Sequence, residues 1–293
     1  MENWTNKMKH FFIITNLQKD KDLALTKQMQ VFIEEHGGKC SYLAMEGKKG
    51  VDALPQPDFI PKETECMLVL GGDGTLIRVA ARFVSCQIPL IGVNLGTVGY
   101  LCELEAGDVF GALERMLQDN YVVEERMLLT GHGEMHGEQT SERLALNEIT
   151  IRSAGALSIL NLVVYVNGKH LHTFHGDGMI VSTPTGSTGY NMSAGGPIVD
   201  PKANMLLLTP INAHNLNTKS IVIGAKEEVM IEIGSRRAEK DESALVSFDG
   251  DGVAELGVGD KFVIKRADAK VKICKLNEES FLDILRKKMQ AYS

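Results

Sequence analysis

The stretch Met67-Leu68-Val69-Leu70-Gly71-Gly72-Asp73-Gly74-Thr75-Leu76 constrains the fold more than any other part of the chain. Its unbroken apolar run, Cys66–Leu70, suits a strand covered on both faces, as in a parallel sheet. The three glycines let the backbone turn sharply and approach a ligand closely. The helical pattern that follows, through about Val84, offers free N–H groups that suit an anion. A carboxylate in the middle of such an elbow is held at the C-terminal edge of the sheet, where α/β proteins bind ligands. The stretch therefore reads as a phosphate cradle with Asp73 as a base or metal partner. The plainer alternative is a tight strand–helix turn in which Asp73 is an N-cap.

The rest of the first part follows the same grammar. Phe11–Ile14 reads as a buried strand. Asp20 to His36 reads as a helix, with Leu25, Met29, Phe32 and Ile33 on one face. Gly37-Gly38 suit its C-cap. Strands are expected at Lys39–Met45 and Ile88–Val93, and a helix from Asp108 to Asp119. After about Tyr121 strands dominate. Asn161–Val166 and Lys169–Phe174 form a hairpin across Asn167-Gly168, a pair that suits a type I′ turn. Further strands are expected at Met179–Ser182, Met205–Thr209, Ser220–Ile223, Val229–Ile233, Ala244–Phe248 and Lys261–Lys265, with a final helix from Glu278 to Ala291. At about 150 residues per domain, 293 residues suggest two domains. The expected fold is an α/β N-terminal domain with an open, mostly parallel sheet (1–122), then a β-rich domain (123–265). A C-terminal segment (266–293) returns to the first.

Composition removes several function classes. The net charge of −7 argues against a general nucleic-acid or anionic-membrane binder. No apolar run approaches the ~18 residues of a membrane span, and the first residues do not read as a signal peptide. The five cysteines form no CxxC, which fits isolated buried thiols in a reducing, cytoplasmic setting. No metal-ligating set is expected. Twelve of the 29 glycines fall in residues 71–99 and 176–196, where an even spread would put about five.

Those glycines mark two more clusters. Ile91 to Leu101 is a second strand-to-glycine-loop junction, expected beside the first. Gly176 to Pro197 carries six glycines and a run of hydroxyls, Thr183-Pro184-Thr185-Gly186-Ser187-Thr188, then Gly189, Tyr190, Asn191, Met192 and Ser193. Hydroxyls and exposed amides hydrogen-bond phosphates, ribose and base edges. His170 and His172 read as solvated strand residues, since no Cys or carboxylate completes a ligand set. His175 adjoins Gly176-Asp177. The segment Ser247-Phe248-Asp249-Gly250-Asp251-Gly252 lacks an EF-hand ligand pattern. It reads by default as a turn closing two strands, with a carboxylate facing the cleft as the lesser reading.

The elbow matches neither GxGxxG nor GxxxxGK[ST], so neither a dinucleotide Rossmann site nor a P-loop ATPase is implied. Taken in order, the clusters resemble the NAD kinase family over nearly the whole chain. The carrying stretches are Gly71 to Thr75, Asn94 to Leu101, Asn147-Glu148, Gly176 to Pro197, and Thr209-Pro210 through His214 to Ile223. The elbow alone is shared with diacylglycerol, sphingosine and phosphofructokinases. Its pairing with residues 183–188 is specific.

The resemblance implies transfer of the ATP γ-phosphate to the 2′-hydroxyl of the adenosine ribose of NAD, with Mg²⁺ or another divalent cation, in a homodimer or homotetramer. It places Asp73 as general base with Gly72 and Gly74 beside it, and Asn147 and Glu148 on the dinucleotide. Asp177, with His175 adjoining, falls near the nicotinamide ribose. Thr188, Gly189, Tyr190, Asn191, Met192 and Ser193 fall on the adenosine-side loop. Gly189 stands where the family has Ala, Asp251 where Gln is common, Lys219-Ser220 where Arg-Pro is usual, and His175 where many members have Arg. His175 leaves the choice between NAD and NADH open. The alternatives are a lipid kinase sharing the elbow and a non-catalytic NAD(P)-binding sensor.

Overall fold

A computed structural model describes residues 8–46, 54–96, 99–135, 138–155, 159–214, 218–235, 243–276 and 280–291. The chain divides into two compact units, residues 1–125 with 271–293, and residues 126–270.

The first unit contains β1 (His10–Asn16), α1 (Ala24–Glu35), β2 (Lys39–Met45), β3 (Cys66–Gly71), α2 (Asp73–Phe83), β4 (Leu90–Asn94), β5 (Leu104–Glu105) and α3 (Val109–Leu117). The strands run parallel in the order β4-β3-β1-β2, with β5 beside β4. Every residue of β3 and β4 is buried, because helices cover both faces of the sheet. Phe11, Ile13, Leu68, Leu70, Ile91 and Val93 pack with Met29, Ile33, Val109, Leu113 and Met116 of α1 and α3. The alternate residues Met67 and Val69 are buried on the α2 side, where Leu76, Val79 and Phe83 are also buried.

Two expectations change here. The helix expected from Asp20 begins at Ala24, because Asp22 and Leu23 take positive φ of 58° and 57°. The cause is Asp20, whose buried carboxylate accepts the N–H groups of Leu25 and Thr26, both at 3.0 Å, and the Thr26 hydroxyl at 2.6 Å. It caps α1 from outside the helix, and the turn at 21–23 brings it there. The thiols of Cys66 and Cys274 are also not isolated. Both are fully buried and they hydrogen-bond each other, and burial pushes the Cys66 thiol up. They remain free thiols. At the other end of α1, Gly37 takes φ of 80° and Gly38 N–H reaches the Ile33 carbonyl at 2.9 Å, the expected C-cap.

The second unit is two antiparallel sheets. Its strands are β6 (Val122–Met135, which begins in the first unit), β7 (Glu138–Gln139), β8 (Arg143–Ala145), β9 (Glu148–Ser153), β10 (Leu160–Val166), β11 (Lys169–Gly176), β12 (Gly178–Ser182), β13 (Met205–Ile211), β14 (Ile221–Gly224), β15 (Val229–Gly234), β16 (Ala244–Phe248), β17 (Asp251–Leu256) and β18 (Lys261–Lys275). One sheet has the order β14-β13-β12-β9-β16-β17. In the other, β11, β10, β15 and β18 are neighbours in that order. Ile149, Ile151, Met179, Val181, Leu206, Leu208 and Val246 of the first meet Leu160, Leu162, Val164, Ile231, Ile233 and Phe262 of the second in one core. Asn167 and Gly168 both take positive φ, 49° and 72°, as a type I′ turn requires.

The strand expected at Lys261–Lys265 runs on to Lys275. Its second half alternates small and apolar residues with charges, a weak period-2 signal that only the neighbouring strands stabilise. Its end belongs to the first unit, where Ile273 pairs in parallel with Leu90. The chain then forms α4 (Phe281–Ala291), also in the first unit. Residues 278 and 279 of the expected helix lie outside the described residues. No described helix is long and apolar enough to cross a membrane.

Candidate active site

In the first unit the elbow sits at the C-terminal ends of β3 and β4. Gly72 is extended and Asp73 is the first residue of α2. The neighbouring loop lies beside it as expected, with Leu95 N–H reaching the Gly71 carbonyl at 2.8 Å. Thr97 and Val98 of that loop lie outside the described residues. The Asp73 carboxylate is not an N-cap: Gly72 holds that position and no side chain caps α2. Oδ2 accepts the N–H groups of Tyr100 at 2.7 Å and Leu101 at 3.2 Å, and Oδ1 accepts that of Cys102 at 3.1 Å. The Cys102 thiol is a fourth donor, and burial with the Asp73 charge pushes it up. A Cβ on Gly99 would fall inside the Asp73 carboxylate, so only glycine lets this loop close on it. By contrast, a Cβ on Gly74 would meet nothing within 4 Å.

The returning C-terminal segment braces the same loop. Lys288 of α4 lies over the Tyr100 ring, 5.0 Å from its centroid. Lys275 pairs with buried Glu103, whose other oxygen accepts Leu276 N–H at 3.2 Å.

Lys19 escaped the sequence reading. It follows β1, in a turn fixed by the N–H groups of Lys19 and Asp20 on the Asn16 carbonyl, both at 2.9 Å. Its ammonium lies 3.4 Å from the Gly71 carbonyl and 3.0 Å from where a Cβ would stand on either Gly72 or Gly96. A positive charge thus stands between the two glycine loops. No motif could mark it, since one lysine after a strand is ordinary.

The second unit gathers a different set. Asn147 and Glu148 lie at the start of β9, where Glu148 pairs with Ser182 at the end of β12. The Asn147 carbonyl accepts Thr183 N–H at 2.8 Å and the Ser182 hydroxyl at 3.2 Å. The Thr183 hydroxyl donates to the Leu146 carbonyl at 2.6 Å. The hydroxyl-rich run is not an open loop. It forms a 3₁₀ turn, Thr185–Thr188, and one short helical turn, Tyr190–Ser193. A Cβ on Gly189 would stand 3.3 Å from Glu148 Oε2 and 3.5 Å from Asn147 Nδ2, so Gly189, Asn147 and Glu148 meet. Thr188 and Tyr190 are half-buried, and Met192 and Ser193 are exposed.

Asn191 is placed differently from its neighbours. Its side chain is fully buried, donates to the Ser187 and Pro197 carbonyls, and accepts the Thr209 hydroxyl at 2.6 Å. It braces the turn, so the side chain is committed to the protein itself.

Many hydroxyls and glycines in this stretch therefore serve the protein itself. Gly186 is the sharpest case, because a Cβ there would strike the Asn147 carbonyl and stand 2.6 Å from Ser182 Oγ. Gly186→Ala is expected to cost about 1–3 kcal/mol by overpacking. Thermal unfolding would read it, and an unchanged midpoint would show that the turn has slack.

His175 and Asp177 precede the other end of β12, whose five residues span about 13 Å from Gly178 to Ser182, the partner of Glu148. Asp177 Oδ2 accepts Asn212 Nδ2 at 2.8 Å. His170 and His172 are exposed, with ring contacts to Tyr165 and Phe174. Buried His175 Nδ1, Thr185 Oγ1 and Glu148 Oε2 have no partner. Buried polar atoms in that state call for an explanation, and a ligand supplies one.

Glu148 and Asp249 form the electrostatic centre of this unit. Burial, then the Asp249 charge, pushes the Glu148 carboxyl up to about 8. Burial likewise raises Asp249 to about 6, against the backbone N–H groups that stabilise its ion. Among the described residues no three His, Cys, Asp or Glu side chains gather as a metal site.

Residues 52–121 match the ATP-NAD kinase N-terminal domain and residues 146–276 the ATP-NAD kinase C-terminal domain. The chain belongs to the NAD kinase family. It is 56% identical over 290 residues to an NAD kinase of Agathobacter rectalis, covering 98% of this chain and all of that protein. It is 39% identical to one of Lachnoclostridium phytofermentans, covering 96% and 99%. The fold is similar to that of yeast NADH kinase complexed with NADH, with a TM-score of 0.84 at 20% identity, covering 98% of this chain and 89% of that one. An NAD kinase from Archaeoglobus fulgidus in complex with ATP gives 0.73 at 21% identity, covering 96% and 98%.

Proposed function

We infer that the chain transfers the γ-phosphate of ATP to the 2′-hydroxyl of the adenosine ribose of NAD, giving NADP and ADP. The observation that carries this reading is the elbow. A carboxylate is held rigidly between two glycine loops, beside an ammonium, in a chain of the NAD kinase family.

In this reading the ribose O2′ attacks the γ-phosphorus, its proton passes to Asp73, and the bond from phosphorus to the ADP oxygen breaks. A ribose hydroxyl is a poor nucleophile, and a placed base is worth roughly 10²–10⁴-fold. Three amide donors fix the direction of the Asp73 carboxylate. The fourth donor is the weak S–H of Cys102, which an alcohol O–H displaces. Gly72 and Gly74 leave the backbone of the elbow open to phosphate. Positioning and charge neutralisation supply most of the remaining rate.

Lys19 provides one such charge. Lys19→Ala is expected to raise the KM for ATP about tenfold or more, and the KM for NAD by less. Initial-rate kinetics in both substrates check this, and equal changes in the two would remove Lys19 from the donor side. A divalent cation comes in on the phosphates of ATP, since Mg²⁺ binds through substrate phosphates with few protein ligands.

Asn147, Glu148, Gly189 and the turns carrying Thr188, Tyr190, Met192 and Ser193 hold one part of NAD, and Asp177 with His175 another. A ligand with two riboses suits two polar places at opposite ends of β12. We further propose a cytoplasmic homodimer or homotetramer.

The deciding experiment incubates purified protein with NAD, ATP and Mg²⁺ and reads NADP with an NADP-specific dehydrogenase. NADP is expected. Folded protein that binds NAD and makes none would be a sensor instead. NADH beside NAD, and polyphosphate beside ATP, give the acceptor and donor preferences.

A further inference from the structure

Asp249 lies outside the residues that the sequence reading assigned to the site, yet its carboxylate accepts three backbone amides. It occupies the turn between β16 and β17, where Asp249 and Gly250 take φ of 50° and 90°. Asp249 Oδ2 accepts Leu146 N–H at 2.7 Å. Oδ1 accepts Asn147 N–H at 2.7 Å and Glu148 N–H at 3.0 Å. In return, Asp249 N–H donates to the Glu148 carbonyl at 3.0 Å. Four hydrogen bonds thus tie this hairpin tip to three consecutive residues more than 100 positions away in the chain. Bonds from amides to an ionised carboxylate are the strong kind.

We propose that Asp249 is the positioning residue of the dinucleotide site: it fixes the backbone of Leu146–Glu148 and sets a like charge beside Glu148, which makes the hold on NAD depend on pH. This rests on the reading of Asn147 and Glu148 as dinucleotide contacts. Glu148 Oε2 is buried without a partner in the structure, so it is an acceptor waiting for a donor. An ionised carboxylate accepts a ligand hydroxyl more strongly than a protonated one does.

Among the described residues, burial and a like charge set the Glu148 carboxyl. Asp249 raises it from the hairpin tip, and Asp251 of β17 raises Asp249 in turn. The packed segments Gly178–Gly189 and Ala244–Phe248 contain no charged residue. No neighbouring cation is among the influences that set either carboxyl. Glu148 in the free site ionises near pH 8, so NAD affinity rises as pH climbs towards that value. Stability runs the opposite way. Two carboxyls raised on folding bind more protons in the folded chain than in the unfolded one, so stability falls as pH rises through about 6 and about 8.

The test measures NAD binding by calorimetry, and thermal unfolding without ligand, from pH 5.5 to 9 on the full chain and on Asp249→Asn and Glu148→Gln. For the unaltered chain, affinity should rise with pH with a midpoint near 8. Asp249→Asn should weaken NAD binding about tenfold and move the midpoint to lower pH, with kcat at saturating NAD changed much less than KM. Glu148→Gln should flatten both the affinity profile and the upper part of the stability profile. An unshifted midpoint in folded Asp249→Asn overturns the proposal. Should that variant not fold, an unchanged pH profile in Glu148→Gln overturns it independently. NAD binding that is tight and flat across pH overturns this inference alone, whereas an unaltered chain that binds no NAD overturns the dinucleotide reading with it.

Discussion

Asp73→Asn lowers kcat by about 10²–10⁴-fold while NAD still binds. The asparagine keeps the size of the side chain but loses the proton-accepting charge. It also turns an NH₂ group towards one of the three amides that the carboxylate now accepts, Tyr100, Leu101 and Cys102. Some of the loss then comes from the loop and some from the missing base. The pH profile separates them. A missing base removes the acid limb of kcat, whereas a displaced loop lowers the whole profile. Steady-state rates with NAD affinity measured alongside check the expectation. A matching loss of NAD affinity would make Asp73 a ligand contact or a structural anchor, and no base.

Gly99→Ala has the second largest expected effect, a loss in kcat of about 10²-fold, from a residue with no chemistry of its own. The added methyl would overlap the Asp73 carboxylate, so either the loop backs away or the carboxylate turns out of position. Both outcomes cost the same alignment. Gly99→Ala and Asp73→Ala should therefore be strongly non-additive, with Gly99→Ala nearly harmless once the residue 73 carboxylate is gone. A double-mutant cycle on kcat reads this directly, and simple additivity would mean that Gly99 and Asp73 act separately. The stability cost should be smaller, because the loop is half-buried at Tyr100–Cys102.

The sequence was most legible where local chemistry is strong. The run from Cys66 to Leu70 could only be a doubly covered strand, and Asn167-Gly168 could only be a tight hairpin turn. Glycine at 71 and 99 was legible as a demand for close approach, but its partner was misjudged. The expected partner was a ligand. At Gly71 the crowding group is Thr75, at Gly99 it is Asp73, and at Gly186 it is Asn147. Only Gly74 faces open space among these. Composition reports that a backbone must come close to something, and not to what.

The contacts that turn these elements into a site were invisible for a common reason. Lys19 reaches the elbow from β1, about 50 residues earlier in the chain. Asp249 reaches Asn147 and Glu148 from a hairpin tip that by itself reads as an ordinary turn. Lys288 reaches Tyr100 from the last helix. Each is a common residue in a common local setting, so no spacing rule singles it out.

By itself, then, the sequence determined the α/β and β-rich halves, the family, and the elbow with its single aspartate. These follow from periodicity, turn chemistry and glycine placement, which act over a few residues. Only the tertiary structure decided that three loop amides aim Asp73, that a lysine stands between the glycine loops, and that Asp249 sets its charge beside buried Glu148. Charge–charge and amide–carboxylate interactions depend on distance through space and on exclusion of water, and folding alone sets both.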